Sequence, residues 1–202
     1  MSMLILQLTD IHTATSFCNG RDDKKIREIV RALPRRDNLE KVIFALTGDL
    51  TNSGKRDEFD SFHKLLFELS KECESVFKMK PTILAVPGNH DIANCEAFKK
   101  ENLSSLPDLN AYYHKYDANL KEFATYCRNN GIIYPESPSK VIPMGLWGEH
   151  QINCILINTA PGSVLSDSDK GDHFLPFEVS DTFPNNPNAL NILLMHHGLD
   201  FL

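Results

Sequence analysis

The chain has 202 residues, of which 42% are hydrophobic and 24% charged, and its formal net charge is −6. This length predicts one ordinary domain with a real core, and the acidic balance argues against a broadly basic nucleic-acid-binding surface. The five cysteines are odd in number and widely spaced, so we expect reduced thiols rather than a disulfide framework. No apolar run approaches the roughly 20 residues of a membrane span, and we expect a cytoplasmic protein with no membrane contact.

The first half of the chain alternates predicted strands with predicted helices. Short apolar runs predict strands over 4–8, 42–47 and 82–86. Apolar residues at helical spacing predict a helix over 23–33 and a longer one over 56–77. The order strand, helix, strand, helix, strand is typical of a mostly parallel sheet.

The second half of the chain has a different pattern. Residues 109–130 look helical and end at an Asn-Gly stop. Two strand-like runs, 141–147 and 152–158, predict a local antiparallel element that turns over 148–151. A fourth short apolar run follows at 192–195.

Polar clusters directly follow the four apolar runs at 4–8, 42–47, 82–86 and 192–195. The clusters are Asp10 with His12, Gly48-Asp49, Gly88-Asn89-His90-Asp91, and His196-His197. In an extended segment residues i and i+2 point the same way, so Asp10 and His12 could face one metal. Because open α/β sheets bind their ligands at the carboxyl ends of parallel strands, the pattern predicts a metal site at that edge.

Each cluster taken alone also has a purely structural interpretation. Asp49 could cap the next helix through residues 51–53, and Asn89 or Asp91 could cap a turn. His196 and His197 could be ordinary core or loop histidines. The four residues at 88–91 are the least expected by chance, and the shared placement at strand ends favours the metal interpretation.

Together, the four clusters resemble the calcineurin-like metallophosphoesterase superfamily over essentially the whole chain. The motifs that carry the resemblance are Asp10-Ile11-His12, GDLTNSG at 48–54, VPGNHD at 86–91 and MHHG at 195–198. The resemblance implies an α/β fold, an α/β/β/α sandwich that is incomplete at the C-terminus. We expect residues 1–202 to form one metallophosphoesterase domain, either truncated or the first part of a longer protein.

The resemblance also implies a site for two divalent metal ions, Mn²⁺, Fe²⁺ or Zn²⁺. Asp10 and His12 would hold the first metal, and Asp49 would bridge both. Asn89 and His196 would hold the second metal. A catalytic role would fall to His90, which would protonate the leaving oxygen or stabilise the transition state. The supporting residues would be Asn52, Asp91 and His197.

Three departures from the family pattern matter. Asn52 stands where many relatives have a second Asp; if it orients His90, an amide would not raise the basicity of that imidazole. Asn52-Ser53-Gly54 replaces the Asp-Arg-Gly of protein Ser/Thr phosphatases, which argues against a phosphoprotein substrate. The final Gly-His-x-His motif, with one His for each metal, is absent, so five of seven expected ligands are present.

The remaining histidines do not replace that motif. We expect His63 and His114 on solvated helix faces and His150 in a turn. His173 lies in a polar loop and is an outside candidate for reaching the site.

The sequence therefore predicts a metal-dependent phosphoesterase that hydrolyses a phosphodiester or phosphomonoester, such as a small nucleotide. The alternative is a non-catalytic protein-interaction module on the same fold. A nuclease is a subclass of the first hypothesis, but the local basic run at 24–36 is more typical of a solvated helix face. An unfinished sheet would expose an edge, so a further C-terminal domain or a second copy of the chain is an expected partner.

Overall fold

A computed structural model of the chain describes residues 2–13, 21–33, 38–92, 118–136, 138–163 and 183–198. The strands in these ranges are β1 (Ser2–Leu8), β2 (Leu39–Thr47), β3 (Thr82–Val86), β4 (Ser139–Trp147), β5 (His150–Ile157) and β6 (Leu190–Leu194). The α-helices are α1 (Arg21–Ala32), α2 (Arg56–Phe77) and α3 (Lys121–Asn129), and short 3₁₀ turns cover Asn89–Asp91 and Ala118–Leu120. Among the described helices, none is long and apolar enough to cross a membrane.

The described strands form two sheets of three. The first sheet has the order β1-β2-β3, and all its pairs are parallel. Beyond β3, Ile133 continues this sheet, because its N–H donates to Ile83 O at 3.0 Å and its carbonyl accepts from Ala85 N–H at 2.8 Å. The second sheet has the order β4-β5-β6; β4 and β5 form an antiparallel hairpin, and β6 runs parallel to β5.

Alternation of side chains along β2 places the first sheet between two apolar layers. Val42, Phe44 and Leu46 are buried against the helices. Ile43 and Ala45 point to the opposite face and are buried against the second sheet. A strand that is covered on both faces reads as a continuous apolar run, which is why 42–47 stood out in the sequence.

Strand β5 of the second sheet is also buried on both faces. Cys154 and Leu156 of β5 pack towards the first sheet, whereas Ile155 and Ile157 are buried on the far face. On the helical side of the first sheet, α2 packs on α3 through Phe59 and Tyr126, whose stacked rings have centroids 5.2 Å apart. The layer order helix, sheet, sheet confirms the α/β class.

Helical and strand periodicity located most elements within three residues. The structure agrees with the prediction for 56–77 and 82–86. The other strands begin two or three residues earlier than predicted, and β5 and β6 end one residue earlier. Of the predicted helix at 109–130, residues 109–117 lie outside the described ranges, and the α-helix begins at Lys121. The hairpin turn is shorter than expected, because His150 and Gln151 already belong to β5.

One expectation about the sheets was wrong. The four apolar runs that precede the polar clusters were read as one parallel sheet, but β6 lies in the second sheet, paired with β5. An apolar run predicts a strand, but it does not show which sheet the strand joins.

The histidines outside the motifs differ partly from expectation. His63 is half-buried rather than solvated, since its ring meets Tyr126 edge-on with centroids 6.1 Å apart. His150 begins a strand, and its Nδ1 lies 3.0 Å from the carbonyl of Asn188. His114 and His173 lie outside the described residues.

Candidate metal centre

The loops that follow β1 and β2 run side by side. The N–H of Asp10 donates to Gly48 O at 3.2 Å, and the N–H of His12 donates to Asp49 O at 2.9 Å. Asp10, His12 and Asp49 all have positive φ, at 53°, 48° and 52°. The 10–12 segment is therefore not extended, so the expectation that residues i and i+2 point the same way does not hold for Asp10 and His12. Non-glycine residues rarely adopt this conformation, and its strain is typical of functional sites.

Two glycines allow the loops to approach closely. A Cβ atom on Gly48 would lie 2.5 Å from Nδ1 of His196, and φ of Gly48 is +89°. A Cβ atom on Gly88 would lie 2.2 Å from Oδ1 of Asp49. Because neither neighbour is free to withdraw without dismantling the cluster, both positions require glycine.

The carboxylate of Asp49 is the centre of the cluster. Its Oδ2 lies 3.7 Å from Nε2 of His12 and 3.4 Å from Nε2 of His196. Its Oδ1 accepts a hydrogen bond of 2.9 Å from the N–H of His90. Asp49 is only 4% exposed, so its carboxylate contacts these protein groups instead of water. It does not cap α2; Glu58 instead accepts the N–H groups of Ser53 and Lys55.

His196 reaches the cluster from the second sheet. Its Nδ1 lies 2.9 Å from the main-chain carbonyl of Thr47, so Nδ1 carries the proton and donates. Nε2 then faces Asp49 and lies 3.2 Å from Oδ1 of Asn89. The carbonyl of Thr47 therefore fixes the ring so that Nε2 points into the cluster.

Two groups of possible ligand atoms share Asp49. One contains His12, Asp49 and His90, and the other contains Asp10, Asp49 and His196; the ligand atoms within each group lie within 4.8 Å of one another. Asn89 joins the second group through its contact with His196. Asp10 thus lies with His196, whereas the motif resemblance had paired it with His12.

The donor atoms and their spacing fit divalent cations. Imidazole nitrogen together with carboxylate and amide oxygen is the mixed set that suits Mn²⁺, Fe²⁺ or Zn²⁺. Two ligands about 2.1 Å from one ion at a tetrahedral angle lie about 3.4 Å apart. The separation of 3.4 Å between Asp49 Oδ2 and His196 Nε2 matches that value.

The opposite charges of Asp49 and His196 shift the pKa values of both groups. Burial opposes ionisation of Asp49, but the hydrogen bond and charge of His196, together with the N–H of His90, keep its pKa below the ordinary value. Burial likewise opposes protonation of His196, but Asp49 and the carbonyl of Thr47 outweigh it and raise the pKa of the imidazole. Each group therefore favours the charged form of the other.

His90 is oriented by a main-chain atom. Its Nδ1 donates to the carbonyl oxygen of Asn52 at 2.9 Å, and its ring meets His12 edge-on at a centroid distance of 4.6 Å. The acceptor is the main chain of Asn52 and not its side chain, so the departure from Asp at this position does not remove the orienting contact. Because Nδ1 is occupied, Nε2 is the atom of His90 that remains for a substrate.

Asp91 joins the loops after β2 and β3 through hydrogen bonds. It is fully buried and accepts hydrogen bonds from the N–H groups of Leu50, Thr51 and Gly88, each at 3.0 Å, and from the Thr51 hydroxyl at 3.1 Å. Burial raises its pKa to about 6, and the donated hydrogen bonds limit that rise. Gly88 is the N-cap of the 3₁₀ turn, and Asp91, the third residue of that turn, accepts the N–H of Gly88 without being the N-cap itself.

His197 has a structural contact instead of a place in the cluster. It is buried, its Nδ1 lies 2.9 Å from the hydroxyl of Thr159, and its own N–H donates to that hydroxyl at 3.2 Å. Sequence reasoning named neither Thr159 nor Thr47 as a site residue. A main-chain acceptor such as Thr47 leaves no signal in a sequence.

Comparisons with known proteins give the family of the chain. A sequence model of the family described as calcineurin-like phosphoesterase matches residues 3–201, which confirms the resemblance seen in the motifs. Among curated proteins, none matches the chain. A solved structure of a phosphopantetheinyl hydrolase from Mycobacterium tuberculosis is similar at 16% identity with a TM-score of 0.38. The similarity covers 78% of this chain and 42% of that one, so the chain spans less than half of that hydrolase.

Proposed function

Since the chain belongs to the calcineurin-like phosphoesterase family, we propose that it hydrolyses phosphate esters at a two-metal site centred on Asp49. Asp10 and His196, with Asn89, would hold one ion, and His12 would hold the other. Asp49 would bridge both. The observation that carries the proposal is that the carboxylate of Asp49 lies between two imidazoles, with Oδ2 at 3.7 Å from Nε2 of His12 and 3.4 Å from Nε2 of His196.

The ligands' own chemistry supports these roles. The lowered pKa of Asp49 keeps an anion at the bridging position, and the bond from His196 Nδ1 to Thr47 O directs Nε2 at the ion it would bind. Two bound cations would neutralise phosphoryl oxygens and make hydroxide available near neutral pH. In a protein of net charge −6, they would also offset repulsion of the substrate.

His90 is the proposed catalytic residue. Its main-chain N–H donates a hydrogen bond to Asp49, and its Nδ1–H donates to the carbonyl of Asn52, so the orientation of the ring is fixed. When the imidazole is protonated, Nε2–H can donate to the leaving oxygen and pass its proton to it as the ester bond breaks. His12, edge-on to this ring, limits its rotation.

The substrate class follows from the loop at 52–54. Asn52-Ser53-Gly54 replaces the Asp-Arg-Gly of phosphoprotein phosphatases, so we propose a phosphodiester or small nucleotide as substrate. Nuclease action has less support, because Arg27 and Arg31 of the basic run lie 3.9 Å and 2.6 Å from Glu68 and Glu72 of α2.

The test is hydrolysis of bis(p-nitrophenyl) phosphate by the 202-residue chain, and by any longer natural form, with and without Mn²⁺. We expect Mn²⁺-stimulated release of nitrophenol that falls at least about 100-fold in Asp49→Asn, the scale of losing a main electrostatic group. Asp60→Asn, on an exposed position of α2, is the matched control and should keep wild-type activity.

Two results would count against the proposal. One is the absence of Mn²⁺-stimulated hydrolysis, and the other is undiminished hydrolysis in Asp49→Asn. If the protein also bound no metal, the alternative of a non-catalytic interaction module on the same fold would replace the proposal.

A further inference from the structure

A cavity of about 270 Å³ lies at the same edge of the sheets as the metal cluster. Its walls come from the end of β3, the end of β5, helix α3 and the segment after Ile133. The lining residues that matter here are Pro87, Phe123, Arg128, Tyr134, Glu136 and Asn158. Pockets for whole drug-sized ligands begin at about 300 Å³, so the cavity suits one group of a substrate.

Chain connectivity places this cavity next to the metal ligands from two sides. Pro87 is two residues before Asn89, and successive Cα atoms are about 3.8 Å apart, so their Cα atoms lie within about 7.6 Å. Asn158 directly precedes Thr159, whose hydroxyl holds His197 beside His196. A substrate with its phosphoryl group at the cluster could therefore extend its organic part into the cavity.

The cavity combines aromatic walls with two opposite charges. The rings of Phe123 and Tyr134 lie edge to face with centroids 6.0 Å apart. Arg128 and Glu136 act on the same hydroxyl: burial raises the pKa of Tyr134, Arg128 lowers it and Glu136 raises it further. Arg128 and Glu136 are both exposed and line the cavity, so their charged groups can reach a ligand there.

We propose that this cavity holds the nucleobase of a nucleotide ester, with guanine as the preferred base. Arg128 would donate to the O6 and N7 acceptors of guanine, which is a favoured bidentate pairing. Glu136 would accept from the N1–H and amino groups of the same base. Adenine presents an amino donor in place of O6, so it would pair poorly with a guanidinium. The placement of the ester rests on the proposed function, whereas the base site itself does not.

Binding of the free nucleoside separates the two proposals. Guanosine is titrated by calorimetry into the wild-type chain in EDTA, which removes any contribution of a metal. We expect saturable binding that weakens about tenfold or more in Arg128→Ala and when adenosine replaces guanosine. Lys121→Ala, an exposed position on the same helix, is the control and should bind as the wild type does. No saturable binding of guanosine, or equal affinity in Arg128→Ala, would overturn the proposal.

A kinetic experiment tests whether the cavity contributes to hydrolysis. With Mn²⁺ present, the p-nitrophenyl ester of guanosine 5′-monophosphate is compared with bis(p-nitrophenyl) phosphate, which has no base. We expect Arg128→Ala to raise KM about tenfold for the guanosine ester only, with kcat unchanged. Guanosine binding without hydrolysis of either ester would overturn the phosphoesterase function and leave the base site standing. Hydrolysis of the base-free ester without guanosine binding would overturn the base site alone.

Discussion

The two sheets contribute to the metal cluster in different ways. The first sheet supplies ligands from three neighbouring loops, after β1, β2 and β3, and main-chain hydrogen bonds lock the first two loops together. The second sheet supplies His196, a single side chain that reaches across to the carbonyl of Thr47 in β2. The contribution of the first sheet is thus fixed by main-chain geometry, whereas the contribution of the second sheet depends on the single imidazole of His196.

Because of this difference, substitutions in the two sheets should have different effects on stability and metal binding. A change that disturbs the loops of the first sheet should cost both stability and metal binding. A change at the second sheet should cost one ion and leave the fold intact. The predictions below test this contrast, from the largest effect to the smallest.

The largest effect is expected for Asp91→Ala. The change leaves the buried N–H groups of Leu50, Thr51 and Gly88 without their acceptor. Unpaired buried donors and a lost charged acceptor cost about 3–5 kcal/mol of unfolding free energy. Urea denaturation measures this loss, with Asp60→Ala on the exposed face of α2 as the control, which should change stability by less than about 0.5 kcal/mol. A loss below about 1 kcal/mol for Asp91→Ala would contradict the role given to this carboxylate.

The second prediction concerns pH and the ligand from the second sheet. The pKa of His196 is raised, so its imidazole binds a proton over more of the neutral range than a free histidine does. A metal ion needs the neutral ring, and binding must displace that proton. We therefore expect Mn²⁺ affinity to fall as the pH falls, approaching about tenfold per pH unit once the ring is protonated. Calorimetric titrations at pH 6, 7 and 8 check this, and equal affinities at pH 6 and pH 8 would contradict it.

The smallest effect is expected for Asn52→Ala. The acceptor for His90 Nδ1 is the main-chain carbonyl of residue 52, which an alanine retains. Hydrolysis of an aryl phosphodiester should therefore stay within about twofold of wild type. His90→Ala provides the contrast and should lose about 100-fold or more, the usual contribution of a general acid. A large loss in Asn52→Ala would show that the amide side chain orients the histidine after all.

Local patterns in the sequence were sufficient for most of the first sheet. Apolar runs and helical spacing located β2, α2 and β3, because burial on both faces or on one helical face leaves a periodic signature. The motif residues at strand ends pointed to Asp49 and Asn89 because parallel strands share an edge, whereas His196 follows β6 of the second sheet.

Long-range geometry explains what the sequence could not predict. The left-handed conformation of Asp10 and His12 arises where their loop pairs with the loop after β2, 37 or more residues away along the chain. The pairing of β6 with β5 and the contact of His196 with Thr47 O depend on where the second sheet docks. Main-chain acceptors carry no residue identity, so no motif could reveal them.

The number of bound ions tests the central role of Asp49 most directly. Equilibrium dialysis against Mn²⁺, followed by elemental analysis, gives the ratio of ions to protein for the wild type, His196→Ala and Asp49→Asn. Because Asp49 belongs to both ligand groups and His196 to one, the ratio should be near two for the wild type, near one for His196→Ala and near zero for Asp49→Asn. If Asp49→Asn retained as many ions as His196→Ala, Asp49 would not be the shared ligand, and the two-metal account would be wrong.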